Sequence, residues 1–383
     1  MKARLYIRLF GLFFITWFVF SMAFSQVIPY MTFLGFSESA RSWMWTVSAL
    51  IGIGAQLLVG YLSDKYQRIK RYFLISTILM LITSALGYSA LGNSISLYFL
   101  LISLFVALFK ISSNLIETWI IQVNHEVMSN FGLIRIFGSF GWAVGSIIVA
   151  QIIDNYGFHE LPLWFTLCGL VTLLLIIGIP DSQKVSNKVN LEMKDLKELL
   201  SNKQYVLSVV IFFILFIVYA LDSLTVVDKM IEINSTSDQI GLRWGFQAIV
   251  EIPLMIFGFK FIQRFSAKKI LGFTALIFGI RYALYGLSET ANQMILISVL
   301  QAITFPFMLL TQKVLVNDYT PLHLRASGHM VMTAVTSNIP IIIVPLLNTL
   351  LHQYISYSQI LLLGGILCLI PMILTFKLER VDV

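Results

Sequence analysis

The sequence predicts an all-α integral membrane protein with twelve transmembrane helices in two pseudo-symmetric six-helix bundles. Composition is the first reason. Of 383 residues 58% are hydrophobic and only 12% charged, whereas a soluble domain carries about 25% charged residues. The second reason is contiguity. Leu9 to Phe33 and Tyr72 to Phe109 contain no charge at all, and a bilayer core needs about 20 apolar residues per helix. In that core only helices and closed barrels satisfy their backbone groups. The long apolar runs lack the ten-residue alternation of a barrel, which leaves helices. The third reason is the placement of Lys and Arg, which falls into register with those runs.

Hydropathy places helices near 9–33, 43–62, 72–91, 96–121, 134–153, 162–180, 205–227, 240–262, 269–288, 292–317, 327–351 and 357–376. Lys2, Arg4, Arg8, Lys65, Arg68, Lys70, Arg71, Lys184, Lys268, Lys269, Arg325 and Lys377 then fall on one side, while Arg41, Lys229 and Arg243 fall in loops on the other. Cytoplasmic loops carry the excess of basic residues. Both termini are therefore expected in the cytoplasm of a multi-pass protein of the cell membrane. The net charge of +7 follows from this topology, so no nucleic-acid partner is implied. The first apolar run exceeds a signal-peptide h-region and is expected to remain as helix 1. Cys168 and Cys368 lie inside apolar runs and are expected to be packing residues.

The longest polar stretch, 181–204, divides the chain into an amino-terminal bundle over 1–180 and a carboxyl-terminal bundle over 205–383. Within this linker, NLEMKDLKELLSNKQ has helical spacing and predicts a short surface helix. The loops GYLSDKYQRIKR, from Gly60, and GFKFIQRFSAKK, from Gly258, both start on Gly. They close on Lys70-Arg71 and Lys268-Lys269, 198 positions apart. Duplicated halves around a midplane site are the architecture of alternating access. Transport of a small-molecule substrate by a monomer is the expectation.

The string GYLSDKYQRIKRYF resembles the loop 2–3 signature of the major facilitator superfamily in Gly60, Asp64, Arg68, Lys70 and Arg71, and departs from it at Lys65 and Gln67. The resemblance implies the major facilitator fold, with this loop as a conformational latch. The segment IETWIIQVNHEVMSNFGLIRIFGSFGWAVGS, from Ile116, is similar to helices 4–5 of lactose permease and its oligosaccharide/proton symporter relatives. Glu117, Arg135 eighteen residues on, and Trp142 seven after that match the family spacing. The resemblance implies that they bind a sugar: a carboxylate accepts from hydroxyls, a guanidinium donates in a fixed fork, and an indole covers C–H faces. On the residues alone, Arg135 reads as a helix-end cation, Glu117 as its structural partner and Trp142 as an interfacial anchor. Gly138, Gly141 and Gly145 read as sites of close helix contact.

The segment from Glu251 to Gly286 resembles helices 8–9 of the wider set that includes nucleoside and phenylpropionate symporters, with Arg281 on the family's helix 9 Arg and Glu251 within a few residues of its acidic position. The helix 10 His of the family falls on Gln301 and its Glu on Thr304, so the family's proton site is not copied.

An ionisable residue in mid-helix costs about 2.5–3.5 kcal/mol on insertion scales, so it needs a partner or a job. Lys110, Glu117, Asp222, Glu251, Arg281 and Lys313 are the instances. Lys110 lies two turns before Glu117 on one face of its helix and joins Glu117, Arg135, Trp142 and Gln301 as substrate-binding candidates. Glu251, Asp222 and Arg281 are the proton-coupling candidates, with Glu251 and Arg281 expected to meet and Asp222 to lie nearby. Lys313 and Asp318 are expected to snorkel to the interface. His329 is expected to be a packed polar residue. No nucleophile elbow, zinc motif, phosphate loop or metal cluster is present in the sequence, so neither an enzyme nor a cofactor is expected. Proton-coupled import of a sugar or oligosaccharide is the expected function. Nucleoside or organic-acid symport is the alternative, and drug/proton antiport ranks behind it, because the helix 5 segment SFGWAVGSIIVAQ has no Pro. A sensor on a transporter fold would be told apart by the absence of flux.

Overall fold

The computed structural model describes residues 2–66, 68–89, 94–181 and 193–379. Among these, eleven helical spans and one bent pair are long and apolar enough to cross a bilayer. In chain order they are α1 (Arg4–Phe33), α2 (Glu38–Ser63), α3 (Ile69–Tyr88), α4 (Ile95–Ile121), α5 (Phe131–Tyr156), α6 (Phe158–Ile177), α7 (Lys203–Glu232), α8 (Ser237–Gly258) and α9 (Ala267–Leu287). They continue with α10 (Ala291–Ser298 and Gln301–Tyr319, bent by 40°), α11 (Ser327–His352) and α12 (Tyr357–Thr375). Side-chain caps start several of them. Ser94 accepts from the amide of Leu97, and Thr290 and Ser356 form reciprocal capping boxes with Gln293 and Gln359.

The helices cluster into two compact units. The first holds residues 1–186 with 234–249, and the second holds 187–233 with 250–383. This differs from the division expected at 180 and 205 by the opening turns of α8. Those turns press onto α5 through glycines: a Cβ at Gly241 would fall on the Ser146 carbonyl oxygen, and one at Gly245 would meet Ile147 at 3.0 Å. In the same unit α5 closes on α1. A Cβ at Gly141 would strike the Phe14 carbonyl oxygen, and one at Gly145 would strike Ser21 Oγ and the Phe18 carbonyl oxygen. The spacing of these glycines therefore lets two backbones touch, as small residues do between membrane helices.

The two halves repeat each other in hydrogen bonds as well as in helices. Tyr30 Oη donates to the Gly87 carbonyl at 2.8 Å, and 199 residues later Lys229 Nζ donates to the Gly286 carbonyl at 2.8 Å. Trp119 Nε1 donates to the Pro180 carbonyl at 3.0 Å, and Tyr319 Oη to the Glu379 carbonyl at 2.8 Å. Lys70 Nζ donates to the carbonyls of Ile177 and Ile179, at 3.4 and 2.6 Å, while Lys268 Nζ donates to those of Phe376, at 3.0 Å, and Leu378. The breaks in α1 and α7 repeat too. Helix is interrupted after Phe24 and resumes at Val27; it is interrupted after Ala220 and resumes at Thr225.

Each ammonium meets the negative end of a helix and satisfies carbonyls that have no partner within it. Lys70→Ala and Lys268→Ala are each expected to cost about 1 kcal/mol of stability, with Lys→Arg milder at both positions. Thermal unfolding of the purified protein checks this, and unequal losses would argue against equivalent roles.

The structure corrects three placements. Arg41, Lys229 and Arg243, expected in loops, lie within α2, α7 and α8 and are buried. The helices run beyond the apolar windows, and these cations turn back onto polar or aromatic groups of the protein. Arg41 Nη1 donates to the Phe36 carbonyl at 3.1 Å, and the Arg243 guanidinium lies 4.9 Å from the Trp244 ring centroid. The linker helix forms over Met193–Ser201, and the linker residues before it, 182–192, lie outside the described residues. Its Leu199 is buried, and Asn202 Nδ2 donates to the Tyr319 carbonyl at 2.7 Å, which fixes this end of the linker to the second unit. Cys168 and Cys368 are free thiols.

Candidate functional site

In the first unit Glu117 stands four residues before the end of α4, and Arg135 four residues after the start of α5. Each charge faces the wrong helix pole, since anions suit N-termini and cations C-termini. Their mutual pairing offsets this. Arg135 Nη1 donates to Glu117 Oε1, and both side chains remain 34% exposed. The pair is open on one side, with lone pairs and N–H groups left for a ligand. The guanidinium also stands 5.7 Å from the Trp17 ring centroid, within cation–π range.

Trp142, seven residues on, lies two turns further along the same helix. Four rings surround it: Trp17 and Phe24 at 5.9 Å between centroids, Phe109 at 6.1 Å and Trp244 at 6.2 Å. The indole N–H groups of Trp17 and Trp244 are buried without a hydrogen-bond partner among the described residues. Such donors are costly to leave unmade. Trp17 and Trp244 escaped the sequence reading because no local spacing ties α1 and α8 to α5. Lys110 is partly exposed on α4, next to Phe109 of the aromatic group.

The second unit holds a buried polar chain. Arg281 is fully buried, and its Nη2 donates to Asp222 Oδ1 at 2.8 Å. Its Nη1 donates to Gln301 Oε1 and to Thr304 Oγ1, the latter at 3.3 Å. Gln301 Nε2 in turn donates to Glu251 Oε1 at 2.6 Å. Tyr285, one turn from Arg281, receives a longer contact from Nη2 at 3.4 Å. Four helices, α7, α8, α9 and α10, thus meet through one guanidinium and one amide.

Two expectations change here. Arg281 pairs directly with Asp222, and Gln301 bridges Arg281 to Glu251. Gln301, expected among the substrate ligands, is buried with both ends of its amide engaged. The reason is local. Asp222 sits in the break of α7 at 221–224, where the interrupted helix brings its carboxylate to α9, and the Gln301 amide spans the remaining distance.

In the loop expected to act as a latch, Arg68 and Arg71 are exposed, Gly60 is partly exposed, and the Asp64 side chain lies outside the described residues. Lys70 spends its donors on the end of α6. Its backbone amide donates to Asp181 Oδ1 at 2.9 Å. Elsewhere His329 is a packed polar residue, 2.9 Å from Asn317 Oδ1. Among the described residues no group of His, Cys, Asp and Glu is arranged to hold a metal ion.

Among the described residues, up to twelve apolar spans with a polar cluster inside each unit define a polytopic solute transporter of the major facilitator type. The chain belongs to the MFS_1 like family, whose model matches residues 6–368. It is 23% identical to an uncharacterized transporter, YwbF, of Bacillus subtilis (strain 168), over 90% of this chain and 86% of that one. It is 26% identical to the maltose permease of Geobacillus stearothermophilus over 65% of this chain and 62% of the permease. Over 84% of its length it is 22% identical to the putative nucleoside transporter YegT of Escherichia coli (strain K12), covering 78% of that protein. In fold it is similar to the crystal structure of a mutant form of the nucleoside transporter NupG, with a TM-score of 0.82 at 16% identity over 98% of this chain and 100% of that one. A POT family transporter in complex with a thioalcohol-conjugated peptide gives a TM-score of 0.77 at 13% identity, over 98% and 97% of the two chains.

Proposed function

We propose that this protein is a proton-coupled symporter that imports a small polar solute, with a sugar or short oligosaccharide as the substrate class. The observation that carries the reading is the half-open Glu117–Arg135 pair beside Trp17 and Trp142. A carboxylate and a guanidinium together accept from and donate to vicinal hydroxyls, while an indole face covers the apolar side of a sugar ring. Lys110 adds a donor on the same face of α4. The similarity to a maltose permease supports this class.

A second reading is nucleoside symport. The rings grouped around Trp142 offer stacking faces that suit a planar base, and one relative carries the name of a putative nucleoside transporter.

Coupling is assigned to the Glu251–Gln301–Arg281–Asp222 chain. Glu251 is the proton carrier, an ionisable carboxylate within the apolar span of α8, where a charge is readily neutralised by a proton. Arg281 and Asp222 set its poise, and Gln301 links the two ends. Gly60, Asp64, Arg68 and Arg71 form the latch, while Lys70 holds α6. The protein acts as a monomer in the cell membrane, with 1–180 and 205–383 as repeated bundles, both termini cytoplasmic, and the solute moved without being converted.

Uptake into proteoliposomes under an imposed pH gradient, across a panel of sugars, nucleosides and aromatic acids, tests the reading. Accumulation of one class is expected. Glu251→Gln should abolish that accumulation and spare exchange of internal for external substrate, which moves no net proton. Uptake indifferent to the pH gradient would exclude proton coupling. Accumulation by the Glu251→Gln variant would exclude Glu251 as the carrier.

A further inference from the structure

The second unit holds another polar pair, between α10 and α11, near where the repeat places the counterpart of Glu117–Arg135. A shift of 198 positions takes Glu117 to Leu315 and Arg135 to Thr333, so the charges are not repeated. One turn further from those helix ends, Gln312 Nε2 donates to Thr336 Oγ1 at 3.1 Å. Thr336 gives its own proton to the Met332 carbonyl at 2.8 Å, so its oxygen accepts from the amide. That fixes the amide's orientation. Gln312 is 8% exposed, and its Oε1 then has no donor among the described residues.

Thr336 lies in a wider π-helical turn, Ala334–Asn338, set inside the apolar span of α11. Pro340 follows it and offers no N–H to the carbonyls of that turn. Such turns interrupt the regular ladder and are frequent at functional sites. This one also presents Ser337, which is partly exposed and makes no hydrogen bond among the described residues. Polar groups in a membrane span are costly unless they are satisfied. An amide oxygen takes an O–H or N–H, a hydroxyl both donates and accepts, and neither side chain is charged. That set suits a neutral hydroxyl and gives an ion no counter-charge.

We infer that Gln312 and Ser337 form a hydroxyl-binding subsite of the second unit, with Thr336 and the π turn holding the amide in place. The subsite rests on the symport reading: its occupant is a hydroxyl of the transported solute, from a sugar or from the ribose of a nucleoside.

Cysteine modification in nanodiscs tests it, with maltose and uridine as the probes. Ser337→Cys, the smallest change that reports on the turn, is placed in a chain carrying Cys168→Ala and Cys368→Ala. Ser139→Cys, in a second such chain, reports on the first unit, because Ser139 is partly exposed and one turn from both Arg135 and Trp142. A charged, water-soluble methanethiosulfonate is expected to modify both thiols. Ile343→Cys is the slow control, since Ile339, Ile343, Leu347 and Leu350 form an exposed apolar stripe of α11. One probe should slow modification at 337 about tenfold, and which one does so separates sugar from nucleoside. Gln312→Leu should raise the protecting concentration about tenfold, with Tm and the unprotected rate unchanged. An unreactive thiol at 337 overturns the subsite, and unaltered protection in Gln312→Leu removes Gln312 from it. Protection at 139 without protection at 337 overturns the subsite and leaves the symport reading standing. Protection at 337 alone keeps the subsite and removes the Glu117–Arg135 pair from substrate binding. Protection at neither position by either probe overturns both.

Discussion

Replacing Arg135 with Lys is expected to weaken substrate binding by about 30- to 4,000-fold while leaving the protein folded. The guanidinium meets the Glu117 carboxylate through Nη1 and stands over the Trp17 ring at the same time. An ammonium is a compact point charge with no second N–H in a fixed plane, so it cannot serve the carboxylate, a ligand oxygen and the ring together. Truncating one member of a hydrogen-bonded charge pair costs about 2–5 kcal/mol, which sets the range. Glu117→Gln should act in the same direction, because it removes the negative charge that holds the guanidinium. Trp142→Phe should be milder than Trp142→Ala, since Phe keeps a face for stacking. Equilibrium binding of the transported solute to purified variants gives the answer. Normal affinity in both Arg135→Lys and Glu117→Gln would remove this pair from the substrate site.

The largest structural effect is expected from Asp222→Asn. Arg281 is fully buried, and its formal counter-charge is the Asp222 carboxylate at 2.8 Å; Gln301 and Thr304 supply only neutral oxygens. Taking the charge from Asp222 leaves a guanidinium in a low-dielectric interior, and breaking a buried pair costs about 3–5 kcal/mol. Thermal unfolding of the purified variant should show a clear drop. The double variant Asp222→Asn with Arg281→Gln should recover most of it, because an amide needs no counter-charge. Failure of the double variant to recover would mean that shape, not charge, holds these helices. A stable Asp222→Asn single variant would show that Glu251, through Gln301, already balances the guanidinium.

The polar chain shows why spacing along a helix stops short of a site. The sequence marked Glu251, Asp222 and Arg281 as ionisable groups in apolar surroundings, because a charge among twenty apolar residues is visible without any structure. It did not show the order in which they meet. Asp222 reaches α9 because α7 is interrupted at 221–224, and nothing in the run of residues around Leu221 to Leu224 announces that break. Gln301 was singled out for its place in a family pattern, yet its neighbours assign it to the charges on α8 and α9.

The sequence by itself determined the fold class, the span positions within a few residues, and the duplication. Each is a property of short stretches: an apolar run long enough to cross a bilayer, a basic pair after a Gly, the same pattern again 198 positions later. It also singled out Glu117, Arg135 and Trp142 as a set, because two charges in apolar surroundings, an indole and the resemblance that relates their spacing are all legible along one stretch of chain. Tertiary structure alone decided the rest. It brought Trp17 and Trp244 to Trp142, turned Lys229 from a loop cation into the buried cap of α9, and gave Lys70 and Lys268 to the ends of α6 and α12. These contacts join residues that are tens to more than a hundred positions apart. A membrane helix is apolar on every face, so its sequence carries little record of which neighbour each face will meet.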